Sequence, residues 1–325
     1  MKVVLKVVVG VFASVSLSLS GTAFAQGYPE QPVRIVVPQG AGGPGDHVAR
    51  VLAEGLRGVW KDAKIVVENR TGAGGNIGAQ HVARAKPDGY TLLSSNIGPL
   101  VANHALAKDI GYNSLTDFVP ITRLASSPTL LYVRATLPVN SFEELIEFAK
   151  KNPGKLNYAD GGMGTIPHLG AELLKNLAKI DITRIGYREA GQINAAIGTD
   201  QFDIYFTGIE FHRWVENGRM KALAISAPTR HPDAPDVPTM KEVGLPGFTL
   251  SAWYALLAPA KTPKDILTKL HTLAQQALQK PEAAKQLQTV GMQVALSTPQ
   301  ELGQQIATER AQWTEIIKST GMTAK

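Results

Sequence analysis

Cysteine is absent from the 325-residue sequence, which excludes disulfide bonds and every mechanism that depends on a thiol nucleophile. The seven histidines are scattered singly, with no pair at metal-ligand spacing. The G-x-S-x-G, H-E-x-x-H and G-x-x-x-x-G-K-[ST] motifs of several enzyme classes are also missing. We therefore expect no enzymatic activity, no metal site and no cofactor.

The net charge of the chain is small, and aromatic residues are few. Thirty-three Lys and Arg residues against 27 acidic residues give a formal net charge of +6, and aromatic residues make up 6% of the chain. No basic run with interleaved aromatic residues occurs, so the sequence does not predict nucleic-acid binding. A mild positive field favours anionic small molecules.

The N-terminus has the pattern of a cleavable signal peptide. Lys2 and Lys6 precede an apolar run over residues 7–19, which is shorter than the roughly 20 residues of a membrane-spanning helix. Ala23-Phe24-Ala25 then gives the small-x-small pattern of a cleavage site. We predict that residues 1–25 are removed and that the product is periplasmic; an N-terminal membrane anchor is the alternative. No cysteine follows the run to accept a lipid, and the mature chain keeps 31 basic and 27 acidic residues, a net charge of +4.

Short β-branched runs alternate with amphipathic helical segments along most of the mature chain. Residues 33–37 read as a buried strand and residues 46–56 as the helix that follows it. The pattern resumes after a proline-punctuated stretch at 119–138, where Ser141 begins a capping box. This alternation predicts an α/β fold of βαβ units on mostly parallel sheets.

Three strand-to-helix loops, at residues 38–46, 94–98 and 160–168, are rich in glycine or small polar residues. Parallel α/β sheets bind ligands at the carboxyl ends of their strands, where such loops lie. Glycine lets backbone N–H groups converge on an anion, and the positive end of the following helix adds to the attraction. The loops at 38–46 and 160–168 lie in separate halves of the chain, so they predict two jaws that close on one carboxylate ligand.

The first loop also fits a different function. Gly40, Gly42 and Gly45 match the G-x-G-x-x-G fingerprint of dinucleotide-binding proteins, and Glu68 ends the next strand. Asp46 argues against that function because it would place a second negative charge where the pyrophosphate binds. An exported chain is also separated from the nicotinamide pool.

At this point the sequence resembles the tripartite tricarboxylate transporter receptor family, also called the Bug receptors, over essentially the whole mature chain. The matching segments occur in the family's order at residues 28–38, 41–46, 67–70, 72–78, 87–92, 152–158, 162–169, 236–239 and 244–247.

The resemblance implies a type II periplasmic binding protein with two α/β lobes, mostly parallel sheets and a central cleft. We predict one lobe from residues 26–124 and 228–325 and the other from residues 125–227. It also implies that a small organic acid is held by backbone groups and ordered water and is delivered to a membrane permease. We expect the protein to be a monomer.

The residues that we predict to contact the ligand are Gln39, Ala41, Gly42, Gly43, Asp46, Ser95, Asn96, Gly162, Gly164, Thr165, His168 and Thr207. Five of them have an alternative structural role: Asp46 and Thr165 as helix caps, His168 as a support for its loop, and Ser95 and Asn96 as turn-forming residues. Two others depart from the family, because Gln39 replaces a common aromatic residue and Thr207 a frequent acid.

Two other functions stay open for the sequence alone. A receptor of this kind can present its carboxylate ligand to a membrane-bound sensor protein instead of a permease. A periplasmic enzyme is the second alternative, although no nucleophile or metal site supports it.

Overall fold

The computed structural model describes residues 27–61, 63–107, 109–187 and 190–320, so the predicted signal peptide lies outside the described residues. The strands are β1 (Val33–Val37), β2 (Ile65–Asn69), β3 (Thr91–Asn96), β4 (Phe118–Arg134), β5 (Asn157–Asp160), β6 (Thr183–Gly186), β7 (Ile204–Thr207), β8 (Met220–Ser226), β9 (Ser251–Pro259) and β10 (Gln293–Val294). The α-helices are α1 (Pro44–Val59), α2 (Asn76–Ala83), α3 (Asn103–Leu106), α4 (Phe142–Lys151), α5 (Ile166–Ala178), α6 (Ala190–Gly198), α7 (Arg213–Glu216), α8 (Lys264–Leu278), α9 (Pro281–Gln288) and α10 (Pro299–Thr320).

The strands form a curled mixed sheet in the order β2-β1-β3-β9-β4-β7-β5-β6, with β8 and β10 also paired to β4. In the first lobe β1 runs parallel to both β2 and β3. In the second lobe β5 runs parallel to both β6 and β7. These parallel pairs arise because a helix returns the chain after each strand, as the βαβ pattern of the sequence predicts.

Strands β4 and β9 join the two lobes. The first part of β4 pairs antiparallel with β9 from Phe118 to Pro128, and its last part pairs with β7 and β8. Most of the proline-punctuated stretch at 119–138 thus belongs to a single long strand, for which the sequence analysis assigned no element. Pro120 lies beside a register shift in the β4–β9 ladder, and such a shift lets a strand tolerate a residue that has no N–H.

Buried apolar side chains fill both lobes. One core lies between β1 and helices α1, α8 and α9, where Ile35 and Leu52 have no solvent exposure. A larger core runs from the first lobe into the second and includes Trp253 of β9 and Phe206 of β7. The same core includes Leu302 and Ile306 of α10, so this helix packs beneath both lobes.

Helix starts follow the sequence signals closely. Ser141 caps α4, its Oγ accepting a hydrogen bond of 3.2 Å from the Glu144 N–H. The Glu144 carboxylate accepts from the Asn140 N–H, one residue before the position that a capping box requires. The predicted α/β class is confirmed, and none of the described helices is long and apolar enough to cross a membrane.

Candidate functional site

The first candidate loop leads from β1 into α1, and Asp46 holds it together from inside. Its carboxylate accepts hydrogen bonds from the Gly42 N–H at 2.9 Å, from Asn69 Nδ2 at 2.9 Å and from Arg50 Nε at 2.8 Å. Burial alone would raise the pKa of Asp46, but these donors outweigh burial and lower it. The Asp46 side chain is therefore buried and holds the loop, but it is not the helix cap that we considered, because Gly43 is the N-cap of α1 and Asp46 lies in the first turn.

The tip of this loop is open. Ala41 and Gly42 are exposed, Gly43 is half-buried, and a side chain placed at Gly42 would meet nothing within 4 Å. Gly42 has φ of +79°, a conformation that suits glycine because it has no Cβ. The tip thus presents bare backbone to open space beside the N-terminus of α1, as we predicted for an anion-binding jaw.

A polar cluster joins this loop to the end of β3. The Tyr254 side chain from β9 makes hydrogen bonds with the side chains of Asn96 and Gln39, and burial raises the pKa of its phenol to about 12. A β-carbon on Gly45 would collide with the Gln39 side chain and lie 2.8 Å from the Tyr254 ring. Gln39 and Asn96 are thus brought together as predicted, whereas Tyr254 was not among the predicted residues.

Ser95 precedes this cluster and is almost fully buried, with 2% of its surface exposed. Its Oγ has no hydrogen-bond partner among the described residues, and neither does that of Ser94. Both residues lie in β3, whose last four residues pair with β9. Ser95 is therefore buried within β3, whereas Asn96 at the end of the strand is partly exposed.

In the second lobe the loop after β5 supplies the opposite jaw. Thr165 is the N-cap of α5 and donates its hydroxyl to the Gly162 carbonyl at 2.7 Å. Gly162 has φ of +123° and open space where a side chain would lie. Bare backbone at a helix start is again the feature that faces outward.

Two buried side chains support this jaw from below. Asp160 has no solvent exposure, pairs with both Nε and Nη2 of Arg184 at 2.5 and 2.8 Å, and accepts the Gly162 N–H at 2.6 Å. His168 accepts the Gly164 N–H at Nδ1, and its burial lowers its pKa. This geometry gives His168 the supporting role that we weighed against direct ligand contact.

The loop after β3 in the first lobe meets the second-lobe jaw at Gly98. The place where a β-carbon on Gly98 would lie is 3.3 Å from the Gly164 carbonyl oxygen and 3.4 Å from Asn96 Oδ1. Gly98 begins a π-helical turn (Gly98–Ala102) directly after β3, and Gly164 packs against Asn103 of α3. The predicted loops of the first and second lobes therefore lie side by side in the fold.

Two further polar residues lie at the end of β7 and in the short helical turn that follows it, Ile209–His212. Thr207 is buried and donates its hydroxyl to Glu210 Oε1 at 3.2 Å. Burial raises the pKa of Glu210, although hydrogen bonds from its own backbone and from Thr207 oppose that shift. Glu210 was missed in the sequence because a single acid three residues after a strand has no distinguishing motif.

Other kinds of site find no support in the part of the chain that the structure describes. No group of three or more His, Asp or Glu residues there has an arrangement that could hold a metal ion. The surface depression lined by Arg34, Lys86 and Tyr90 lies on the outer side of the first lobe, away from the two jaws.

A family model described as the tripartite tricarboxylate transporter family receptor matches residues 48–322. The match spans both lobes. The chain belongs to this receptor family. The resemblance to Bug receptors inferred from the motifs is thereby confirmed.

Solved structures of the same kind agree with this membership. The chain is similar to the periplasmic binding protein BugD, with 34% identity and a TM-score of 0.81 over 92% of this chain and all of BugD. It is similar to MatC from Rhodopseudomonas palustris with bound malate, at 33% identity and a TM-score of 0.80 over 89% of this chain and all of MatC. It is also similar to R. palustris Rpa4515 with adipate, at 30% identity and a TM-score of 0.82 over 90% of this chain and 98% of Rpa4515.

These relatives confirm the two-lobed periplasmic binding protein fold that the sequence predicted. Members of this receptor family bind substrates and are not enzymes, as we expected for this chain. The individual ligand contacts and the lobe boundaries at residues 124 and 228 stay predictions.

Proposed function

We propose that this receptor captures a small organic carboxylate between its two lobes in the periplasm and delivers it to a membrane permease of the tripartite tricarboxylate type. The observation that carries the proposal is the contact between the loop after β3 in the first lobe and the glycine-rich, helix-opening loop of the second lobe, at Gly98 and Gly164. Malate and adipate in the two R. palustris structures are both small carboxylates, which supports the same class of ligand for this chain.

The mechanism is capture by closure. A carboxylate first docks on the exposed backbone around Ala41 to Gly43, next to the N-terminus of α1. The second lobe then brings the backbone at Gly162 and the start of α5 to the other side of the ligand. Closure removes the charged hydrogen bonds from water, which strengthens them.

A thermal-shift screen tests this proposal. Mature protein is unfolded, freed of carried ligand and refolded, and its melting temperature is measured against C4 to C6 dicarboxylates, tricarboxylates, acidic amino acids and benzoate-type acids. A ligand present at 100 times its Kd should add about 2.7 kcal/mol to the free energy of unfolding. A response confined to carboxylates supports the proposal, and folded protein that responds to none of them contradicts it.

Delivery to a permease needs a second experiment. Uptake of the radiolabelled ligand is compared in cells with the receptor, without it, and with a neighbouring permease gene deleted. Loss of uptake in both deletions is the expected result. Unchanged uptake with altered gene expression would instead favour the sensor function.

A further inference from the structure

Glu210 carries an unusual carboxylate between the two lobes. Its Oε1 accepts a hydrogen bond from Thr207, but its Oε2 has neither contact with solvent nor a hydrogen-bond partner among the described residues. A carboxylate offers about four acceptor positions, and leaving one of its oxygens buried without a donor is unfavourable. An unpaired atom of this kind in a binding protein calls for a partner that arrives with the ligand.

The backbone N–H groups of Glu210 and Gly208 lie close enough to the carboxylate to oppose the rise in its pKa, but neither donates to Oε2 in hydrogen-bond geometry. The atom lies against the α-carbons of Gly208 and Gly291, where a β-carbon on either residue would collide with it. Ser127 Oγ lies 2.9 Å from that same position on Gly208, yet it donates to the Pro128 carbonyl. None of the ion pairs found among the described residues involves Glu210.

Glu210 is also tied to both jaws. Gly291 belongs to the turn between α9 and β10 in the first lobe, whereas Glu210 follows β7 in the second. Tyr254, which bonds to Gln39 and Asn96 in the first jaw, interacts electrostatically with Glu210. The carboxylate therefore lies where the two lobes touch, beside Ser127 of β4, one of the strands that join them.

We infer that Glu210 determines ligand specificity by pairing with a hydrogen-bond donor on the captured carboxylate, so that the ligand is an amino- or hydroxy-carboxylate. This inference rests on the proposed function. Opening of the lobes moves Gly291 away and uncovers Oε2, and closure buries the new pair. An ammonium group is the better partner because its hydrogen bond is charge-assisted. A plain dicarboxylate brings only acceptors, which cannot donate a hydrogen bond to Glu210 Oε2.

Matched sets of acids test the inference by titration calorimetry on refolded mature protein. The sets are succinate, malate and aspartate; glutarate and glutamate; and benzoate and 2-aminobenzoate. Within the set that fits the cleft, the acid with a donor should bind about ten- to a hundredfold more tightly than the acid without one, as expected for a hydrogen bond to a charged group. Equal affinity within that set would overturn the inference.

Glu210→Gln then identifies the residue responsible. The substitution keeps the size of the side chain but removes its charge. The affinity for the amino-carboxylate should therefore fall by about tenfold or more, while the affinity for the plain acid stays the same or rises. Glu210→Asp keeps the charge but withdraws the carboxylate by one methylene, and it should lose part of the preference. Glu216→Gln is the matched control because Glu216 is exposed at the end of α7, six residues away.

The outcomes separate the two proposals. A preference for donor-bearing acids that disappears in Glu210→Gln and persists in Glu216→Gln supports the inference. Carboxylate binding whose preference is unchanged in a folded Glu210→Gln protein overturns the inference and leaves the proposed function intact. If no acid of any set binds, the proposed function fails and the inference fails with it.

Discussion

Asp160→Asn is expected to weaken ligand binding by loosening the second jaw from beneath. The Asp160 carboxylate is fully buried and serves both Arg184 and the Gly162 N–H. An amide has only one oxygen, so its NH2 group would point at the guanidinium or at the Gly162 N–H. The substitution therefore breaks one side of a buried charge network and leaves the other side in place.

The loss of stability in Asp160→Asn follows from the burial of Asp160 and Arg184. Removing one member of a fully buried ion pair costs about 3–5 kcal/mol, and the 38% exposure of the Arg184 side chain reduces this to about 2–3 kcal/mol. In a chain of this size such a loss corresponds to a fall of about 3–5 °C in Tm. If the loop recovers half of that energy by relaxing, the ligand must supply it again on binding, which raises Kd by about tenfold.

A second buried pair in the same lobe provides the control. Asp203 pairs with Arg134 at 2.6 Å and accepts the Asn157 N–H at 2.8 Å, but it precedes β7, at the end of the strand away from Thr207. Asp203→Asn should lower Tm by a similar amount and leave Kd within about twofold. Calorimetric titration of both variants with the ligand from the screen gives the comparison. Equal Kd values for the two variants would refute the role of Asp160 as a support of the jaw.

Two further predictions concern stability. Burial lowers the pKa of His104 to about 4, below its unfolded value of about 6.5, so the unfolded state binds the proton first and stability should fall as the pH drops from about 6.5 towards 4. Melting curves over that range should show a shallower fall for His104→Gln than for the wild type, and parallel curves would contradict the assignment. Gly170→Ala should destabilise by about 1–3 kcal/mol because its β-carbon would lie 2.6 Å from the Phe206 ring in the core. Gly198→Ala, where nothing lies within 4 Å, should be neutral in the same urea titration, and equal losses for both variants would contradict the overpacking argument.

Regular elements could be predicted from the sequence wherever one local signal decided the structure. The run from Val33 to Val37 is a strand with the expected bounds, and Ser141 caps its helix as expected. The long strand β4 could not be predicted because its prolines are tolerated only through register shifts against β9, a partner more than 100 residues away. In β4, pairing with the distant strand β9 therefore decided the structure in spite of the prolines.

The candidate site divides in the same way. Glycines and helix starts marked the two backbone jaws, because their chemistry is encoded in a few consecutive residues. Tyr254 and Glu210 were missed because they reach the site only after β9 and β7 take their places in the sheet. The resemblance supplied Thr207 and the order of the motifs, and neither follows from spacing alone.

A single backbone segment, β4, is shared by the sheets of both lobes. The ladders of the two lobes are consecutive stretches of one strand, since β9 pairs with Phe118–Pro128 and β7 and β8 pair with Thr129–Arg134. Folding of the two lobes should therefore be cooperative, with one calorimetric transition in place of two. The same sharing explains how the lobes can rotate through twisting of a narrow ribbon while the chain keeps the stability of one folding unit.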